Sequence, residues 1–131
     1  MTDGTLPPHL LSFIATCIRT VVELEALLFL LHHAPRQFSA DELARELRID
    51  PQYAKQEMTD LAQHGLAELD PQTGHGKYAA RTPELDQTVR ELAKLYIERR
   101  VSVIQAIYNK PSDPIQSFAD AFKFRKGKPR G

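Results

Sequence analysis

The spacing of apolar residues predicts that the first part of the chain is helical. Apolar residues recur at helical intervals over residues 10–18, and a second stripe of the same kind begins after Thr20. Thr20 followed three residues later by Glu23 is typical of a capping box, which indicates that a new helix starts there. Pro35 ends this helix, because proline cannot continue the helical hydrogen-bond ladder. The pattern therefore predicts a short first helix and a second helix over residues 21–33.

The next stretch carries the signals of two helices joined by a tight turn. Ser39 and Glu42 form another capping box at the start of the first helix. Asp50 can cap the second, with Pro51 in the first helical position, where its missing amide costs no hydrogen bond. Gly65 supplies the left-handed residue that stops this helix. The positions predicted to face the core are Leu43, Ala44, Leu47, Ala54, Met58, Leu61 and Ala62.

A short β-hairpin is predicted directly after this pair of helices. Residues 66–69 alternate as a strand, and residues 70–74 read Asp-Pro-Gln-Thr-Gly, which is turn chemistry. Residues 77–79 can return as the second strand. Helix, turn, helix and hairpin in this order predict a winged helix-turn-helix.

The C-terminal part continues as helices. A long helical pattern follows Pro83, with a predicted break at Arg99-Arg100, and a last helix is predicted over residues 115–122. The fold class is therefore mainly α with a small β-hairpin wing. We expect a single domain over residues 1–122, with its winged core at 21–82 and C-terminal helices at 84–122.

Charge is distributed unevenly along the 131 residues, although the formal net charge is zero. A tail over residues 123–131 carries five basic residues and no acidic one, and we expect it to be flexible. The other 12 basic and 17 acidic residues leave residues 1–122 at −5. The most apolar segment contains Arg19, Glu23 and Glu25, which are costly in a membrane span. Together with the lack of a signal-peptide pattern, this predicts a cytoplasmic protein without a membrane partner.

The sequence contains no pattern that predicts catalysis or a cofactor. It has no serine nucleophile turn, no phosphate-binding glycine loop and no paired-carboxylate constellation. The histidines lack cysteine or carboxylate partners at ligand spacing, so we expect no metal site. His64, just before Gly65, is expected to interact with the helix C-terminus. We therefore expect a protein that is not an enzyme.

Part of the chain resembles a known family of DNA-binding proteins. The block Asp-Glu-Leu-Ala-Arg-Glu-Leu-Arg-Ile-Asp at 41–50, followed by Tyr53-Ala54, Met58, Leu61 and Gly65-Leu66, resembles the winged-helix domains of MarR-type bacterial regulators. The resemblance covers about residues 21–82. It implies a transcriptional regulator that binds double-stranded DNA, with flanking helices that form a homodimer.

The resemblance also implies which side chains would contact DNA. Side chains that point away from the core near the start of the second helix would read bases in the major groove. Residues at the first helix and in the wing would contact phosphates. The candidate base-reading residues are Gln52, Tyr53, Lys55, Gln56 and Thr59, and the candidate phosphate contacts are Ser39, Lys77 and Arg81.

The acidic residues of the second helix keep an alternative open. Asp50, Glu57 and Asp60 outnumber Lys55 there, and they are expected to face or flank the phosphates. The candidate DNA contacts would then be an ordinary solvated helix face. In that case the fold would be a protein-interaction module that no longer binds DNA. A small effector between dimer helices is a third reading, for which the sequence names no pocket residue.

Overall fold

A computed structural model describes residues 6–109 as six helices and one two-stranded sheet. The elements in chain order are α1 Pro8–Cys17, α2 Val21–His32, α3 Ala40–Leu47, α4 Pro51–Gln63, β1 Ala67–Leu69, β2 Gly76–Tyr78, α5 Pro83–Glu98 and α6 Arg100–Tyr108. This order confirms the predicted fold class: a winged helix-turn-helix flanked by helices on both sides. The predicted last helix and basic tail lie outside the described residues.

One apolar core joins the winged unit to its flanking helices. α2 packs against α3, α4 and β2, whereas α1 packs against α5 and α6. The core residues predicted for α3 and α4 are buried, except that Leu47 and Ala62 are only partly covered. The largest fully buried side chains include Leu10, Ile14, Leu24, Leu27, Leu43, Met58, Leu61, Leu92 and Ile107.

The helix caps explain where the helices begin. Ser39 and Glu42 form the complete capping box, since the Ser39 oxygen accepts from the Glu42 amide at 3.0 Å and the Ser39 amide donates to the Glu42 carboxylate at 2.9 Å. At α2 the Thr20 oxygen accepts from the Glu23 amide at 3.0 Å. The Glu23 carboxylate accepts from the Arg19 amide at 2.8 Å instead of from Thr20. The predicted cap is confirmed there, with its return bond one residue earlier.

The hairpin differs by one residue from its predicted boundaries. β1 and β2 are antiparallel, and Leu69 pairs with Gly76. Gly76 also exchanges two 2.8 Å main-chain hydrogen bonds with Phe38, which lies just before α3. The second strand therefore begins at Gly76, which pairs with Leu69 on one side and with Phe38 on the other.

The C-terminal helical pattern is divided where the sequence predicts a break. α5 ends at Glu98, Arg99 has φ −137° and ψ 56°, and α6 begins at Arg100.

Among residues 6–109, no helix combines the length and the apolar character that crossing a bilayer requires.

Candidate nucleic-acid interface

The turn between α3 and α4 sets the direction in which α4 leaves the core. Arg48 adopts the left-handed conformation with φ 60°, and its amide still bonds back to the Ala44 carbonyl. The Asp50 carboxylate then accepts from the Gln52 amide at 2.8 Å, and Pro51 occupies the first turn of α4. Both start signals predicted for α4 are confirmed.

The outward side of α4 carries the five predicted base-reading residues, and we call it the outer face of α4. Four of the five are exposed and Thr59 is partly exposed: the set is Gln52, Tyr53, Lys55, Gln56 and Thr59. Two of them make contacts within the helix, since the Gln56 amide donates to Asp60 at 3.1 Å and the Thr59 hydroxyl donates to the Lys55 carbonyl at 3.0 Å. Amide, ammonium and phenol groups are thus presented together to solvent.

The sequence predicts that the acidic residues of this helix face or flank phosphates, but Glu57 is buried and Asp60 is largely covered. Glu57 is 0% exposed and lies among core residues, so its predicted place beside phosphates is wrong. The Asp60 side chain is only 13% exposed and is ion-paired with Arg19, which precedes α2. Asp50 is exposed, and its carboxylate caps α4. The outer face of α4 is consequently far less acidic than the composition of the helix indicates.

The two basic residues predicted to contact phosphates from the wing, Lys77 and Arg81, differ in exposure and in their neighbours. Lys77 on β2 is partly buried, and its Nζ lies 3.7 Å from a carboxylate oxygen of Glu68 on the opposite strand. Arg81 is exposed and packs over the end of α4, because a Cβ added at Gly65 would lie 2.9 Å from the Arg81 Nε. Its amide also donates to the Gly65 carbonyl at 2.8 Å. Arg81 is therefore the wing cation positioned next to α4.

Ser39 is held close to the wing by its neighbour. Phe38 is paired with Gly76, so the start of α3 and the start of β2 are adjacent. The Ser39 oxygen accepts from the Glu42 amide, which leaves the hydroxyl proton able to donate. The side chain is partly exposed, and a phosphate at the N-terminus of α3 would be within reach of this proton.

Contacts with α5 hold the wing in place. The Tyr78 hydroxyl on β2 donates to one carboxylate oxygen of Asp86 at 2.6 Å, and the Arg90 Nε donates to the other at 2.9 Å. Burial and the Asp86 carboxylate raise the pKa of the Tyr78 hydroxyl well above its usual range. The same two donors, Tyr78 first, lower the pKa of Asp86. The position of the wing is thus coupled to the first turns of α5.

Beneath the outer face of α4 lies an acidic cluster, which we define as Glu23, Glu57 and Asp60. Glu23 on α2 is 0% exposed, like Glu57. Burial, and then the nearby Glu23 charge, raise the pKa of Glu57 from 4.5 to about 7. Arg19 is the basic residue that contacts the cluster, with its Nε 3.6 Å from Glu23.

For the two buried carboxylates, helical spacing favours the core whereas charge favours solvent, and both follow the spacing. Glu57 lies three residues after Ala54 and four before Leu61, which places it on the inward stripe of α4. Glu23 lies four residues before Leu27 and seven before Leu30, which places it on the inward stripe of α2. Helical spacing alone therefore predicts that both carboxylates are buried.

His64 interacts with the C-terminus of α4, as predicted, because its Nδ1 donates to the Asp60 carbonyl at 3.0 Å.

Comparison with known proteins supports the fold. No protein-family model matches the sequence, and no curated protein shows significant similarity to it. Among solved structures, the chain is similar to the one titled crystal structure of RV1404 from Mycobacterium tuberculosis, with a TM-score of 0.52 and 15% sequence identity. The match covers 92% of this chain and 82% of the other. Similarity at this identity shows a shared fold alone.

Proposed function

We propose that this protein is a cytoplasmic, MarR-like transcriptional regulator that binds double-stranded DNA and has no enzymatic activity. The observation that carries this proposal is the outer face of α4, where polar and basic side chains are exposed while the acidic residues are buried, ion-paired or used as a cap. In a winged helix-turn-helix, this helix is the one that enters the major groove.

Each predicted contact has a distinct role in the proposed complex. A glutamine side chain can bond to both N6 and N7 of adenine, so Gln52 and Gln56 suit base reading. Lys55 can contact guanine or phosphate, and the Thr59 methyl can touch thymine. Of the three candidate phosphate contacts, Arg81 is exposed and Ser39 and Lys77 are partly exposed, and Lys77 would first have to release Glu68.

A salt-titrated DNA-binding assay on genomic fragments tests the proposal. We expect retention at low salt that weakens steeply as salt rises, because counterion release supplies much of the affinity. Lys55→Ala should weaken binding and reduce the salt slope by about 1 if Lys55 contacts a phosphate. Gln56→Ala should reduce discrimination among sites by about 1–3 kcal/mol at one base position.

A matched control is available on α5, where Lys94 is exposed and remote in sequence from the winged unit. Lys94→Ala removes the same charge as Lys55→Ala and should leave both affinity and salt slope nearly unchanged. If no fragment is retained at low salt, or if both lysine variants lose equal affinity, the proposed interface is wrong.

We further propose that the protein forms a homodimer through its flanking helices. α6 buries Val103 and Ile107 on one side and presents Val101, Ile104 and Tyr108 on the other, which we call the outer stripe of α6. Val101 and Tyr108 are 66% and 72% exposed, as is Ile97 at 77% near the end of α5. A helix that is apolar on two sides is typical of an interface. Sedimentation should give a dimer that Val101→Asp dissociates, and a monomeric wild type would contradict this.

The second candidate function is a protein-interaction module, which the same outer stripe of α6 and the acidic balance of residues 1–122 favour. Under this alternative, the stripe binds another protein instead of a second copy. Affinity capture that recovers one protein stoichiometrically and no nucleic acid would support it. Loss of that protein with Val101→Asp, but not with Lys55→Ala, would assign the contact to α6.

A further inference from the structure

The acidic cluster brings three carboxylates from two helices to one point. Glu23 is on α2, whereas Glu57 and Asp60 are on α4, and an oxygen of each lies within 4.8 Å of the other two. That spacing allows one cation to contact all three groups. The histidine spacing predicts no metal site, and this cluster is a different set of donors in which every donor atom is oxygen.

A second observation, the lack of partners for buried carboxylate oxygens, points to a ligand at the cluster. Glu57 is 0% exposed, and neither of its carboxylate oxygens has a partner at hydrogen-bond geometry among the described residues, although the nearby Tyr53 side chain acts to lower the pKa of this carboxyl. Within the same residues, Oε2 of the equally buried Glu23 has none either. Buried carboxylates are normally hydrogen-bonded, paired or bound to a metal. One carboxylate oxygen of Glu57 and one of Glu23 lie within 4.8 Å of each other and of Asp60, where a single cation would contact them.

The charge of the cluster favours a divalent ion. Among the described residues, Arg19 is ion-paired with Asp60 and Glu23, and its own side chain is 56% exposed. Three ionised carboxylates against one guanidinium leave two negative charges, which one divalent cation would balance. Because Arg19 and the partly exposed Asp60 lie on the solvent side of the cluster, they mark the route by which an ion would enter.

We propose that Glu23, Glu57 and Asp60 form a binding site for one hard divalent cation of the Mn²⁺ and Mg²⁺ class. Carboxylate oxygens suit hard cations, and water completes their coordination. A cation held there would join α2 to α4 directly beneath the outer face of α4. The site does not depend on DNA binding, because metal binding can be measured on the protein alone.

Titration of the full, tag-free chain with MnCl₂ tests the site. Protein treated with EDTA and exchanged into metal-free buffer at pH 8 has its carboxylates available for metal. Electron paramagnetic resonance then reports free Mn²⁺. We expect one Mn²⁺ to bind per chain with a Kd below roughly 1 mM, and the bound ion should raise the Tm.

Three variants and one control identify the ligands. Glu57→Gln and Asp60→Asn should each weaken Mn²⁺ binding at least about tenfold, since even outer-shell partners of metal sites contribute this much. Arg19→Gln should strengthen binding, because it removes the competing guanidinium. Glu46→Gln changes an exposed glutamate on α3 and should leave the Kd unchanged. Circular dichroism would verify that every variant is folded.

Several results would overturn the proposal. One is the absence of saturable binding to the wild type at millimolar Mn²⁺. Another is a folded Glu57→Gln variant that binds Mn²⁺ as tightly as Glu46→Gln does. Weaker binding by Arg19→Gln would also contradict it, because the guanidinium would then be supporting the ion instead of competing with it. Loss of DNA binding in the salt titration would leave the metal result unaffected, so the two proposals fail separately.

Discussion

Replacing Glu57 with glutamine in metal-free protein should change how stability depends on pH. The wild-type carboxyl is fully buried, and its pKa is raised from 4.5 to about 7. Burial is the main cause, the charges of Glu23 and Asp60 add to it, and Arg19 and Tyr53 oppose it. Glutamine has nearly the same shape but does not titrate. The difference between the two proteins therefore reports the ionisation of this one group and its coupling to its neighbours.

The sign follows from proton linkage. Because the folded pKa lies above the unfolded value, the folded state binds more protons than the unfolded state between about pH 4.5 and 7. The stabilisation from the protonated carboxyl is present below pH 4.5 and is lost as the pH rises through about 7. A shift of this size corresponds to about 3 kcal/mol at 1.36 kcal/mol per pKa unit. Relative to Glu57→Gln, the wild type should lose about that much stability between pH 4 and pH 8.

Urea unfolding at several pH values, in EDTA and at one fixed protein concentration, measures this difference. The pH dependence of the difference matters more than its absolute value, because the glutamine amide also needs hydrogen-bond partners in the core. The exposed Glu46 provides the control, since Glu46→Gln should stay within about 0.5 kcal/mol of the wild type throughout. If wild type and Glu57→Gln instead lose stability in parallel from pH 4 to 8, Glu57 does not ionise from a buried site.

Three further substitutions test the parts of the fold that position α4. Gly65→Ala should destabilise the folded protein by more than about 1 kcal/mol, because Gly65 has φ +77° and an added Cβ would meet the Arg81 side chain. Thermal unfolding would detect this loss, and an unchanged Tm would contradict it. Leu61→Ala should cost about 2–5 kcal/mol in urea unfolding, since Leu61 is fully buried in the core; a cost below about 1 kcal/mol would place it elsewhere. Ser39→Ala should cost about 1 kcal/mol by removing one half of the capping box, whereas Ser39→Asp should retain most of the stability.

Local signals in the sequence predict most of the winged unit. Ser39 with Glu42, Asp50 with Pro51, and Gly65 each act within a few residues, and the structure confirms all three. The break between α5 and α6 is local in the same sense. Signals of this kind are reliable because a cap or a left-handed glycine satisfies groups in its own turn of helix. They predict element boundaries without knowledge of the tertiary fold.

The misplaced features depend on contacts between distant residues. Gly76, the first residue of the second strand, also pairs with Phe38 across a long stretch of chain. The Glu23 carboxylate bonds to the Arg19 amide and lies beside Glu57 of another helix, which no local rule predicts. For Glu57 the helical period and the charge gave opposite predictions, and burial followed the period. Where the two conflict, the fold has buried a charge, and such a position merits a functional test.

The positions of the three acidic residues in and beside α4 favour DNA binding over protein binding as the function of this helix. Asp50 caps the helix, Glu57 is buried and Asp60 pairs with Arg19, so the net charge of this segment is a poor guide to the charge of its outer face. The case for a protein partner in place of DNA therefore loses its support at α4. It now rests on the outer stripe of α6, which belongs to a different element. Since α4 and α6 present separate surfaces, binding DNA at one and a second copy at the other are compatible, and Lys55→Ala on α4 should leave the dimer intact.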